Sequence, residues 1–146
     1  MYAPTPPRKP VATAAAPAKL IAQPTTKKAG DAAEALALQH LEGQGLRLVM
    51  RNFATPGRGG GEVDLIMRDA DGTLVFVEVR ARRSTRHGGA AASVSVTKQR
   101  RIVLAARHYL MRLPKLPPCR FDVVSIDGLP PDAHVQWIKA AFDAGY

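Results

Sequence analysis

Gly61-Glu62-Val63-Asp64-Leu65-Ile66-Met67-Arg68 and Leu74-Val75-Phe76-Val77-Glu78-Val79-Arg80 are the two stretches whose reading decides how this chain folds. Both are rich in β-branched and aromatic residues and are separated by a short polar connection, the signature of paired strands. Each also carries an acid, Asp64 or Glu78, in an apolar setting, and Arg80 follows the second acid at a spacing of two. A carboxylate placed where a sheet should bury hydrocarbon is costly unless something positive meets it. A divalent metal ion and a phosphate group are two things that would.

The connection Arg68-Asp69-Ala70-Asp71-Gly72-Thr73 allows two main turns with opposite consequences. A two-residue Asp71-Gly72 turn would pair Asp64 with Val79 and send Asp64 and Glu78 to opposite faces of the sheet. A three-residue Ala70-Asp71-Gly72 loop, with Gly72 left-handed in a bulge, would instead pair Asp69 with Thr73 and set Asp64 opposite Glu78. In that register Glu62 alternates onto the same face and Arg80 lies diagonally beside Asp64. Carboxylates sharing one spot raise each other's pKa unless a cation is shared, and oxygen-only ligands favour a hard ion, Mg²⁺ or Mn²⁺, over zinc.

Such a site suits phosphodiester hydrolysis. Asp64 and Glu78 would hold the ion, Glu34 would add a ligand through water, and Arg80 and Lys98 would neutralise charge developing on the phosphoryl oxygens. A guanidinium does not serve as a general base, so Arg80 is a charge and not a proton acceptor. The alternative that spacing leaves open is a hairpin whose acids simply pair with Arg80, Arg82 or the second helix.

With 146 residues, 46% of them hydrophobic, the chain suffices for one core. Its formal charge of +9 is uneven: Arg8, Lys9, Lys19, Lys27 and Lys28 precede any acid. Half of the 12 prolines also fall before Ala29, so residues 1–28 are expected to be a disordered basic Ala/Pro-rich arm and residues 29–146 a single domain. Within the domain the cations gather as Arg80, Arg82, Arg83 and Arg86 and as Lys98, Arg100, Arg101 and Arg107. Both groups lie just after the acidic pair, the pattern of a polyanion-binding surface in which Arg80, Arg82, Arg83, Lys98 and Arg101 would contact phosphates. The alternative for each cluster is a solvated charged face.

Cys119 is the sole cysteine, which rules out an internal disulfide or a cysteine-rich metal framework and fits a reducing, cytoplasmic compartment. His40, His87, His108 and His134 lack zinc-site spacing. No apolar run approaches the roughly 20 residues needed to span a bilayer, and Val11 to Ala18 is not a signal-peptide core, so no membrane association is expected.

The remaining pattern predicts a helix from Gly30 to Gln44, with Glu34, Ala37, Leu38 and Leu41 on one stripe, and a first strand from Leu46 to Phe53. A Gly-rich loop over Thr55 to Gly60 follows. It lacks the Gly-Lys-Ser/Thr ending of a Walker loop. Ser93 to Thr97 offers caps for a second helix with an Ile102, Ala106, Tyr109, Leu110, Leu113 stripe, in which Lys98 is the cation best placed to look inward. Cys119 to Ile126 and Val135 to Ile138 read as a fourth strand and a short fifth at an edge.

Asp64 with Glu78-Val79-Arg80, after a helix bearing Glu34, resembles the PD-(D/E)XK nuclease superfamily. Gly61-Glu62-Val63-Asp64-Leu65-Ile66, Val75-Phe76-Val77-Glu78-Val79-Arg80, Thr97-Lys98-Gln99 and Arg120-Phe121-Asp122-Val123-Val124 together resemble, more closely, the bacterial UPF0102 (YraN-like) family over about residues 27 to 140. The resemblance implies an α/β, restriction-endonuclease-like fold: a mixed central sheet of four to five strands flanked by helices. It maps the superfamily's acids onto Asp64 and Glu78 and its first-helix acid onto Glu34. The superfamily's lysine falls on Arg80, a departure that leaves a metal-activated water or Lys98 to compensate.

The leading expectation is therefore an Mg²⁺- or Mn²⁺-dependent endonuclease acting on DNA, with branched or otherwise structured DNA as a candidate substrate. A nucleic-acid-binding module with the same fold and little catalysis is the alternative, and a protein-interaction scaffold is a third.

Overall fold

The computed structural model describes residue 3 and residues 26–82, 94–128 and 130–144. Helix α1 (Thr26–Gly43) leads into strands β1 (Arg47–Ala54), β2 (Glu62–Arg68) and β3 (Leu74–Arg82), then helix α2 (Val96–Leu110) and strands β4 (Cys119–Asp127) and β5 (His134–Phe142). The five strands form one sheet in the order β1-β2-β3-β4-β5. All neighbours are antiparallel except β3 and β4, and α2 supplies the crossover that a parallel pair requires. The expected mixed sheet of four to five strands is thus present, with five. No helix among the described residues is long and apolar enough to cross a membrane.

The β2–β3 connection takes the bulged form. Asp69 N–H donates to the Thr73 carbonyl at 2.9 Å, Gly72 N–H to the Asp69 carbonyl at 3.0 Å, and Gly72 has φ +92°. The resulting register pairs Arg68 with Leu74, Met67 with Val75, Ile66 with Phe76 and Leu65 with Val77. Only a residue without a Cβ adopts that φ at no steric cost, so Gly72 selects the loop length and the loop length selects the register.

Alternation along β3 then sorts the core into two layers. Val75 and Val77 join Leu65, Met67, Val124 and Ile126 beneath Ala33, Ala37 and Leu41 of α1. Leu74 and Phe76 join Ile66, Phe121 and Val123 beneath Ile102, Ala105, Ala106 and Tyr109 of α2. Aromatic contacts knit the second layer: Phe53 meets Tyr109 edge-on at 5.5 Å, and Phe121 stacks between Phe76 and Phe142 at 5.6 and 5.1 Å.

Helix α1 begins at Thr26, four residues before the expected start. Lys27 pairs with Asp31 at 3.2 Å one turn on, and Ala29, Ala32 and Ala33 favour helix, so the segment extends back past Gly30. The remainder of the expected arm, apart from residue 3, lies outside the described residues. Strand β5 runs to Phe142 rather than ending at Ile138, because a bulge near Ala140 (φ +50°) lets pairing with β4 resume. The buried Asp122 carboxylate sustains that bulge. It accepts from Ala140 N–H and Trp137 Nε1, each at 2.9 Å, and from Arg120 Nε at 3.1 Å, while Arg120 Nη1 reaches Asp69 at 2.9 Å.

Gly61 fixes how α2 lies on the sheet. A Cβ at this position would fall inside the Arg101 carbonyl and come within 2.8 Å of Ala105 N, so backbone meets backbone where β2 begins. Gly61→Ala is expected to destabilise the protein by at least ~1–3 kcal/mol, as overpacking against unyielding backbone does. Gly30→Ala, where an added Cβ meets nothing within 4 Å, should instead stabilise α1 by roughly 0.5–1 kcal/mol. Urea unfolding of the two variants checks both signs.

Candidate active site

The β2–β3 ladder ends at Leu65 and Val77, and one step further along the same register stand Asp64 and Glu78. Here the acid replaces the sheet. Asp64 Oδ2 accepts the Val79 N–H at 2.8 Å, so a side chain takes a backbone donor of β3. On the other side of Asp64, Asn52 of β1 has φ +50°, between the pairs Arg51–Leu65 and Phe53–Val63. The left-handed residue turns the end of β1 so that Phe53 packs towards α2, whereas Leu65 packs towards α1. Non-glycine residues held in this region are uncommon and cluster where geometry is constrained for function.

Glu78 follows Phe76 onto the α2 side and is buried. Burial first, and then the charge of Asp64, push its pKa up to about 8, and a hydrogen bond shared with Asp64 acts in the same direction. Lys98 opposes the shift: its Nζ lies 3.6 Å from Glu78 Oε2 and 3.7 Å from Glu62 Oε1. Both separations are long for hydrogen bonds, so the ammonium is shared between two acids and held tightly by neither. Ser95 places it there by capping α2, its hydroxyl accepting the Lys98 N–H at 3.1 Å.

Glu34 flanks the pair from α1. Its pKa is raised by partial burial and then by Asp64 and Asp31, against the lowering influence of Arg51 and a hydrogen bond with Asn52. Asp64 thus acts electrostatically on both Glu34 and Glu78. Among the described residues, however, no three His, Cys, Asp or Glu side chains converge closely enough to enclose a metal ion by themselves. A hard ion would take its protein ligands from Asp64 and Glu78, the rest coming from water and phosphate oxygens, the usual arrangement for Mg²⁺. The donor set fits such an ion: two adjacent carboxylates, one kept protonated for want of positive charge.

The other expected residues divide. Arg80 is half-exposed on the Glu78 side of β3 and has no ion-pair partner among the described residues. Arg101 is exposed on α2, but its Nε donates to the Gly60 carbonyl at 3.3 Å, so it also braces the glycine loop. Arg82, expected on the polyanion face, is committed to Asp127 at 3.3 Å and largely buried. Arg83 and Arg86 lie outside the described residues. Glu62, read from sequence only as a third acid on the face, proves to be the second anchor of Lys98. The ionic link between Asp69 and Arg120 gave no signal in sequence, because the two residues stand 51 positions apart.

A mixed sheet flanked by helices, with paired acids where its second and third strands part, defines the restriction-endonuclease-like fold. The chain belongs to the uncharacterised protein family UPF0102, whose model matches residues 33–126, a span that includes Glu34, Asp64, Glu78, Arg80 and Lys98. A UPF0102 protein of Albidiferax ferrireducens is 66% identical over 121 residues, 82% of this chain and 91% of the relative. That of Polaromonas naphthalenivorans is 59% identical over 140 residues, 92% of each chain, and that of Paracidovorax citrulli 65% over 121 residues, 83% and 87%.

The raised pKa of Glu78 has a consequence for stability. Because the folded state holds this proton up to about pH 8 and the unfolded chain releases it near 4.5, the Glu78 contribution falls as pH rises through that window. Glu78→Gln removes the penalty, so its melting temperature relative to the parent should climb between pH 5 and pH 9. Parallel melting curves across that range would refute the assigned protonation.

Proposed function

We propose that this protein is a metal-dependent nuclease that hydrolyses phosphodiester bonds in DNA, with branched or otherwise structured DNA as the candidate substrate. The observation that carries the proposal is the meeting of Asp64 and Glu78 at the end of the β2–β3 ladder, with the Lys98 ammonium 3.6 Å from Glu78. When bound by Asp64 and Glu78, Mg²⁺ or Mn²⁺ would polarise the scissile phosphate and acidify a water.

The chain's own residues supply the rest. The Val79 N–H holds one Asp64 oxygen, fixing the carboxylate beside Glu78. Burial keeps Glu78 from being satisfied by solvent and makes it eager for a cation. Lys98, 3.7 Å from Glu62, would remain beside the site and neutralise charge on the non-bridging phosphate oxygens. Arg80, without an ion-pair partner among the described residues and on the same side of β3, would add a second positive charge. Glu34, steadied by Asn52, would act through water from α1.

One observation favours a second reading, a nucleic-acid-binding module with little catalysis. Arg80 stands where the related nucleases place a lysine, and a guanidinium lacks the neutral form that would accept a proton. Salt-sensitive DNA binding that needs no metal and yields no cleavage would select this alternative.

The nuclease reading predicts cleavage of duplex or branched DNA in Mg²⁺ or Mn²⁺ that is abolished by EDTA. Asp64→Asn and Glu78→Gln should each lower the rate by roughly 100-fold or more while retaining the fold by circular dichroism. Equal cleavage by parent and variants would locate the activity elsewhere.

A further inference from the structure

The loop of residues 55–61, Thr55-Pro56-Gly57-Arg58-Gly59-Gly60-Gly61, runs directly into Glu62. Its base is closed: Thr55 N–H donates to the Gly61 carbonyl at 2.9 Å, and Gly61 N–H donates to Thr55 Oγ1 at 2.7 Å. Three further contacts lock that base to the site. Gly61 lies against the backbone of α2 at Arg101 and Ala105, Arg101 Nε holds the Gly60 carbonyl, and Glu62 anchors Lys98 one turn before Arg101. The outer part of the loop is open by contrast. A Cβ on Gly57 or Gly59 would meet nothing within 4 Å, and between them Arg58 is exposed.

Arg58 makes no hydrogen bond, ion pair or ring contact with any described residue. A guanidinium on a rigidly based loop, next in sequence to the acids and without a carboxylate of its own, is the arrangement that receives an anion from another molecule. We infer that the loop of residues 55–61 is a nucleic-acid backbone clamp in which Arg58 grips a phosphate flanking the one held at the acid pair. The inference rests on the nucleic-acid reading of the site and adds to it the element that positions the strand. The bracing of Gly60 by Arg101 keeps the loop in fixed relation to Lys98, so a phosphate on Arg58 sets the register of the backbone across the acids. Small residues around Arg58 let the loop follow a duplex surface without steric conflict, and a backbone contact carries no base preference.

The test is binding of a fluorescent DNA duplex to the full chain in Ca²⁺ or EDTA, followed by anisotropy across a KCl series. Arg58→Ala should weaken binding several-fold and reduce the slope of log affinity against log salt by ~0.9, the loss of one phosphate contact. Arg58→Lys should keep most of the slope. Arg47→Ala is the control: Arg47 is also exposed but stands at the far end of β1, about 15 Å along the strand from the site, and its removal should leave the slope unchanged. Equal slopes for parent, Arg58→Ala and Arg47→Ala would overturn the clamp while leaving DNA binding intact. A parent that binds no DNA would overturn both the clamp and the nucleic-acid reading. A slope lost only in Arg58→Ala, in a protein that fails to cleave, would uphold the clamp and refute the nuclease.

Discussion

Where β2 and β3 stop pairing, the Asp64 carboxylate takes the Val79 N–H in place of a main-chain carbonyl. Most of the candidate site follows from that substitution. It satisfies a backbone donor that would otherwise be stranded as the strands part. It also holds a charge beside Glu78, so that the second acid, already buried, retains its proton to about pH 8. A sheet that continued its ladder through this point would have no need of either acid.

A second buried acid one strand away shows the contrast. Asp122 is completely enclosed, yet three N–H donors from Arg120, Trp137 and Ala140 surround it. Glu78 has only a distant, shared ammonium and a competing carboxylate. The first is a structural carboxylate whose hydrogen-bonding capacity is used to shape β5 and tie it to the β2–β3 turn. The second has capacity left over. The same side-chain chemistry thus serves architecture on the α1 face and is left with unfilled hydrogen-bonding capacity on the α2 face.

Much of this was legible in local sequence because short-range geometry governs it. The polar connection left two hairpin registers open, and the structure takes the three-residue loop with Gly72 left-handed, from which period-two alternation reaches Asp64 and Glu78. Ser95 capping and the Ile102, Ala106, Tyr109 stripe likewise place Lys98 on the inward side of α2. The extent of β5 was not legible, because its bulge depends on Asp122 eighteen residues earlier. Arg82 read as part of a basic cluster, yet parallel pairing puts it opposite Asp127, a long-range partner that neighbouring residues do not disclose. Helix α1 starts early because an alanine-rich context outweighs a single glycine.

The sequence by itself determined the strand and helix order and the presence of two acids on one hairpin, and narrowed that hairpin to two registers, since turn chemistry and side-chain alternation are local properties of the chain. Only the tertiary structure decided which charges are spent and which remain available. Arg82 and Arg120 are consumed by Asp127, Asp69 and Asp122, whereas Arg58 and Arg80 are left without partners among the described residues. The physical reason is that a charge becomes neutralised or available through neighbours that packing brings together from distant segments, and burial together with the neighbouring Asp64 charge turns Glu78 from an ordinary carboxylate into one that keeps its proton at neutral pH.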